Sequence, residues 1–181
     1  KKENEMNNFD IQISVIGSKN CGKTSLIYRL LGKPLVFSTI QNSNQPIQEI
    51  LQDTFEYDGK KYNLKYNEIH TDKLPTTKML PQLLASDMMT IAAYELGSQY
   101  AREHIYKLVL TPPKPQSEVL LVGLKSDLIE HQAPDDEEVT DLFRQSTANL
   151  RQQFEISVYK KSSSLDLLKQ YIKQRIEQKL D

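Results

Sequence analysis

The sequence predicts an α/β fold, a three-layer sandwich on a six-stranded, mostly parallel sheet with one antiparallel hairpin and about five helices. Three observations predict it. Short apolar runs of strand length alternate with segments of helical period. One pair of alternating runs is joined by Asp58-Gly59, whose residues both tolerate positive φ, so that pair is a hairpin. A glycine-bearing stretch, Gly17–Thr24, lies between the first strand and the first helix, as in sheets that bind ligands beyond their carboxyl ends.

The elements follow in order. Ile11–Ile16 alternates apolar residues and reads as a buried strand. Gly22–Gly32 reads as a helix with Leu26, Ile27, Leu30 and Leu31 on one face. Lys33–Pro46 is a polar loop. Ile47–Tyr57 and Lys60–Ile69 form the hairpin. Asp87–Tyr94 is a strand, Ser98–Leu110 a helix, and Thr111–Ser117 an exposed loop with three prolines. Val119–Gly123 is a strongly apolar strand. Asp135–Gln152 reads as a helix whose first-turn acids suit its dipole; Asp135–Glu138 are a solvated helix start rather than a site. Phe154–Ser157 is a short strand. Ser164–Lys179 is the last helix, lined by Leu165, Leu168, Ile172 and Ile176.

Residues 1–10 are a polar lead-in without the apolar core of a signal peptide, and residues 11–181 form a single domain. The opening Lys-Lys-Glu leaves room for a fragment of something longer. The chain has 181 residues, with 23 basic and 24 acidic side chains and a net charge of −1. That balance gives no sign of a nucleic-acid partner or of a disordered acidic chain. No apolar run reaches the roughly 20 residues needed to span a bilayer. Cys21 is the single cysteine, so an intramolecular disulfide is impossible and a reducing compartment is expected.

Gly17-Ser18-Lys19-Asn20-Cys21-Gly22-Lys23-Thr24 matches G-x-x-x-x-G-K-[ST] at every fixed position, followed by Ser25. This is the P-loop pattern in its required context, after a strand and opening a helix. Glycines let the backbone curl until successive N–H groups point at one phosphate, and the helix N-terminus adds positive potential. Lys23 supplies a cation for the β- and γ-phosphates, and the Thr24 hydroxyl can ligate Mg²⁺. Within the loop, Cys21 is read as a small tolerated residue in preference to a redox switch.

About 100 residues later, the strand Val119–Gly123 runs into Leu124-Lys125-Ser126-Asp127-Leu128. With the phosphate loop and this stretch placed, the chain resembles the Ras-like small GTPase superfamily over nearly its whole length. Within it, the chain is most similar to the C-terminal GTPase domain of Miro, the mitochondrial Rho family. The stretches that carry this are Val15–Lys23, Leu30-Leu31-Gly32-Lys33, Tyr66-Asn67-Glu68-Ile69 and Lys125–Leu128, with Lys-Asn-Cys-Gly-Lys the most discriminating.

The resemblance implies a GTP- or GDP-binding domain that uses Mg²⁺. Lys125 would pack its stem on the guanine, and Asp127 would accept the ring N–H and exocyclic amine, which adenine does not offer in that arrangement. Leu124 stands where the superfamily usually has Asn, a residue that Miro's C-terminal domain also lacks; without that tie to the phosphate loop, weaker affinity is expected. Ser157, at the start of Ser157-Val158-Tyr159, stands where a Ser-Ala-Lys segment contacts the base. The resemblance further implies protein partners such as adaptors, scaffolds or regulators. It places the protein at the cytosolic face of the mitochondrial outer membrane, or otherwise in the cytoplasm. The chain would then be an excised domain, or a relative without Miro's other parts.

The hydrolytic pattern is incomplete. Where small GTPases end the third strand with D-x-x-G, this chain has Glu68-Ile69-His70-Thr71. Glu68 could still hold a metal-bound water, but Thr71 cannot supply the glycine N–H, and no Gln follows to orient the attacking water. Thr39 is the candidate switch threonine, ligating Mg²⁺ and sensing the γ-phosphate, and is equally readable as a plain loop residue. His70 is a weak candidate base, read chiefly as a solvated strand-end side chain, and Glu68 is the other weak catalytic candidate. His104 and His131 have no partner pattern. Two functions stay open: a GTP hydrolase that is slow or partner-dependent, and a pseudo-GTPase that holds nucleotide structurally as a scaffold. A P-loop kinase is rejected because no lid-type arginine cluster or second substrate site is visible.

Overall fold

Successive residues of a strand point to opposite faces, so a strand covered on both sides must be apolar throughout. Of the inner strands, Glu118–Leu124 follows this rule most closely, while Asp10–Gly17, Lys60–His70 and Met89–Glu95 bury the polar Ser14, Asn67, Glu68 and Thr90 among their apolar residues in the computed structural model. It describes residues 10–35, 48–74, 77–98, 118–125, 149–158 and 163–181. These hold β1 (Asp10–Gly17), α1 (Lys23–Leu30), β2 (Gln48–Tyr57), β3 (Lys60–His70), α2 (Leu80–Leu83), β4 (Met89–Glu95), β5 (Glu118–Leu124), β6 (Asn149–Ile156) and α3 (Ser163–Leu180).

The six strands form one sheet in the order β2-β3-β1-β4-β5-β6. β2 and β3 pair antiparallel, and every other pair is parallel. Ile11, Ile13, Val15, Ile91, Ala93, Leu120 and Val122 share one face with Leu26 and Ile27 of α1 and Leu168, Ile172 and Ile176 of α3. Ile16, Ile69, Ala92, Tyr94, Val119 and Leu121 turn to the other face and pack on Leu80 and Leu84, in and just after α2. The expected helix–sheet–helix layering is therefore present.

Local chemistry sets the turns. Asp58 (φ 48°) and Gly59 (φ 71°) both take the left-handed conformation, as the hairpin required. At the end of α1, Gly32 N–H donates to Arg29 O and Lys33 N–H to Tyr28 O, closing a Schellman cap on a left-handed Gly32. At the start of β5, buried Glu118 accepts from the Arg175 guanidinium of α3, with Nε 3.1 Å from Oε2 and Nη2 on Oε1. This bidentate pair fixes the last helix to the sheet.

Three expectations need correction. Residues Asn149–Gln152 were expected to close a helix but form the first half of β6. Their pairing with β5 slips between Val119 and Leu120, so this stretch does not show the clean period-2 pattern of a regular strand. The described residues contain three α-helices, fewer than the five or so expected. Residues 135–148 of one expected helix, most of Ser98–Leu110, the proline loop Thr111–Ser117 and residues 1–9 of the lead-in lie outside the described residues. Asp10, taken as lead-in, is the first residue of β1.

Candidate functional site

The parallel strands end along one edge of the sheet. β1 is the strand where the order reverses, with β3 on one side and β4 on the other, and a crevice forms at such a point. The register pairs Gly17 with His70 and Ile16 with Ala92, so the loop that leaves β1 rises between the ends of its neighbours.

Space dictates the first residue of that loop. A Cβ on Gly17 would lie 2.3 Å from the carbonyl oxygen of Ala93, a backbone atom that cannot step aside. Further on, Asn20 (φ 64°) and Gly22 (φ 106°) take left-handed conformations that curl the chain into the N-terminus of α1. Gly22 is the N-cap, and no side chain caps this helix, so its first N–H groups face the loop's concavity.

Three side chains furnish the loop. Lys23 is 1% exposed. Its ammonium donates to the carbonyl of Ser18 and lies 3.8 Å from Cys21 Sγ. Cys21 is buried, with Sγ 3.8 Å from Ala93 O, and burial pushes its thiol pKa up. That environment favours a packed thiol over a redox switch. Thr24 Oγ1 donates to Glu68 Oε1 at 2.6 Å. Ser25 follows in the first turn of α1, half-buried.

Glu68 is 1% exposed, near the end of β3. Its second carboxylate oxygen, Oε2, is buried with no hydrogen-bond partner among the described residues. Burial raises its pKa, while the Thr24 hydroxyl and the Lys23 charge pull it back down. An orphaned carboxylate oxygen beside a threonine hydroxyl is a pair of hard oxygen donors. It fits a divalent cation of the Mg²⁺ type, which takes one or two protein ligands and completes its shell with phosphate oxygens and water. Among the described residues no three His, Cys, Asp or Glu side chains cluster into a cage for a metal.

His70 was read as solvated and is not: it is 7% exposed at the last position of β3. Its Nε2 lies 4.0 Å from Glu68 Oε1, beyond hydrogen-bond reach, and its Nδ1 is buried without a partner among the described residues. Burial first, then the charges of Lys23 and Lys73, push its pKa down to about 4. A neutral imidazole results at neutral pH. Thr71–Lys73 then makes a single 3-10 turn. In that turn Asp72 Oδ1 accepts the backbone N–H of Lys19 at 2.9 Å.

On the β5 side, Lys125 takes a left-handed φ of 61°. Its ammonium bonds the carbonyl of Asn20 at 3.0 Å and pairs with Glu95 at 3.1 Å. Leu124 is buried, with Cδ1 3.4 Å from where a Cβ on Gly22 would stand. The strand end therefore meets the phosphate loop through an apolar contact. Ser157 is buried just beyond β6, and the neighbouring Val158 carbonyl accepts from Arg29 Nε of α1 at 2.9 Å. Asp127 and Thr39 lie outside the described residues.

The structure thus brings together Gly17–Thr24, Glu68, His70 and Lys125, with Ser157 at the end of β6. Reading the sequence missed the contacts made by Asp72, Glu95 and Arg29. Each acts across the fold, 53, 30 or 129 positions from its partner, and no local pattern announces such pairs.

No family model and no curated protein matches this chain. Solved structures do. One is Methanosarcina barkeri Roco2 RocCORdC bound to GDP, 18% identical with a TM-score of 0.64 over 91% of this chain. The fold is that of the P-loop GTPases. The chain spans about half of that Roco2 structure, 48% of its length.

The buried imidazole predicts a pH dependence. Unfolded, His70 titrates near 6.5; folded, near 4. Between those values the unfolded chain binds a proton that the folded chain does not, so stability falls as pH drops from 6.5 towards 4. The contribution is on the order of 2 kcal/mol. Urea titrations at pH 7 and pH 4.5, without nucleotide or divalent cation, should show His70→Gln losing less stability than wild type. Parallel losses would mean that His70 is protonated in the fold.

Proposed function

We propose that the chain is a guanine-nucleotide-binding domain of the small-GTPase type, holding Mg²⁺ and nucleotide on Gly17–Thr24. The observation that carries this reading is the Thr24–Glu68 hydrogen bond at 2.6 Å. It joins the last residue of the P-loop motif to the carboxylate that replaces the metal-site aspartate. The loop N–H groups and Lys23 would bind the phosphates, and Thr24 and Glu68 would hold the cation. When bound, Mg²⁺ neutralises charge on the β- and γ-phosphates. Lys125, already anchored to Asn20, would stack on the base, and Asp127 would read guanine. The GDP in the Roco2 structure supports that choice of base.

Hydrolysis in this reading is slow or depends on a partner. Thr71 has a side chain where a glycine N–H would swing to the γ-phosphate, and Asp72 is spent on Lys19. His70 is neutral, and among the described residues no hydrogen bond fixes its direction. The same features favour the second reading, a pseudo-GTPase that keeps its nucleotide as a structural part of a scaffold. The similarity of Val15–Lys23 and Lys125–Leu128 to Miro supports a role in mitochondrial transport or contact sites, with adaptor or regulator proteins as partners. Among the described residues no helix is long and apolar enough to cross a membrane.

Three measurements test this reading. Lys23→Ala should weaken GDP binding by about a hundredfold, since it removes a charge-assisted contact worth about 3 kcal/mol, and Asp127→Asn should shift preference towards xanthine nucleotide. Normal GDP affinity in Lys23→Ala would refute the phosphate site, and an unmoved base preference in Asp127→Asn would refute the base reader. In a single-turnover assay, GTP should be hydrolysed at or below about 10⁻⁴ per second. A rate about a hundredfold higher, lost in His70→Ala, would instead make His70 catalytic.

A further inference from the structure

We propose that Asp72 makes this site discriminate against nucleoside triphosphates in favour of diphosphates. The inference rests on the nucleotide reading above and adds a specificity determinant to it.

Sheet register sets where Asp72 stands. β1 and β3 stay paired up to Gly17 and His70. Two residues beyond each, the chains meet again: Asp72 Oδ1 accepts the N–H of Lys19 at 2.9 Å. The 3-10 turn Thr71–Lys73 begins directly at the end of β3, so the carboxylate is carried by the sheet rather than by a long loop. The charges acting on neighbouring His70 come from Lys23, Lys73, Asp72 and Lys19, so Asp72 contributes negative charge at this corner of the site.

Lys19 N–H belongs to the phosphate loop, and a carboxylate oxygen now occupies it as a phosphate oxygen would. The phosphate nearest the N-terminus of α1 draws on Gly22, Lys23 and Thr24. A diphosphate seated there leaves Lys19 to Asp72. A third phosphoryl group extends towards the end of β3, needs the loop's remaining donors and brings about two negative charges beside the carboxylate. It must either displace Asp72 or bear its repulsion. Asp72 is exposed, so the repulsion is partly screened, and about tenfold in affinity is the expected size.

The test compares wild type with Asp72→Asn, which keeps an oxygen acceptor for Lys19 but loses the charge. Fluorescent GDP and a fluorescent non-hydrolysable GTP analogue are titrated with Mg²⁺ at low and high salt. Wild type should bind the diphosphate about tenfold more tightly, and 1 M salt should shrink that ratio. Asp72→Asn should bring the two affinities within about threefold by tightening the triphosphate, while the diphosphate moves less than about twofold. Asp72→Ala, checked by its melting temperature, should behave likewise, since the charge matters more than the acceptor. Both nucleotides binding the variants in the wild-type ratio would overturn the role of Asp72 and leave the nucleotide site standing. No binding of either nucleotide to wild type or variants would overturn both readings, and would show as absent binding rather than as an unmoved ratio.

Discussion

The approach of Gly17 to the Ala93 carbonyl is the constraint on which the site depends. Only a residue without a Cβ can leave β1 there, because 2.3 Å to a backbone oxygen leaves no room for one. The exit direction set at Gly17 carries the loop between β3 and β4. It places Cys21 against the same Ala93 carbonyl and turns Lys23 inward. Thr24 then faces Glu68, Lys19 meets Asp72, and Asn20 meets Lys125. Two of these contacts tie the end of β3 to the loop and one ties the end of β5, so the curl is held from both sides.

The site keeps polar groups that the described residues do not satisfy. Lys23 is a buried ammonium held by a carbonyl and a sulfur, and Glu68 is a buried carboxylate with one oxygen orphaned. Buried groups of this kind cost stability unless something completes them. A phosphate and a divalent cation carry the complementary charges. The core next to the site is conventional: Ile13, Ile16, Ile27, Ile69 and Ile91 are closed off from water on both faces of the sheet. The fold's stability therefore rests on the core, and the loop carries charges that the described residues leave unmet.

Much of this was legible in the sequence, for physical reasons. Buried strands must be largely apolar: Ile11–Ile16 alternated apolar residues and Val119–Gly123 was continuously apolar. Asp58-Gly59 had to turn, and Gly32 had to end a helix. The P-loop motif placed Gly17–Thr24 because its chemistry is local. What failed to show was non-local or irregular. Asn149–Gln152, mostly polar and with a slip in its pairing to β5, gave no strand signal. His70 looked like a solvated strand-end residue, and its burial is set by the elements packed over it. The Asp72–Lys19 contact depends on the register of two strands 53 positions apart. Leu124 looked like a missing polar tie, whereas it supplies an apolar contact to Gly22. The roles proposed for Asp127 and Thr39 come only from the family resemblance, since both lie outside the described residues.

The central claim is that these strand ends form a guanine-nucleotide site. Titrating the intact chain with labelled GDP and labelled ADP, each with Mg²⁺, tests it most directly. The account predicts saturable GDP binding at least about tenfold tighter than ADP binding, from two discriminating hydrogen bonds at the base. Equal affinity for the two, or no saturable binding of GDP, would contradict it.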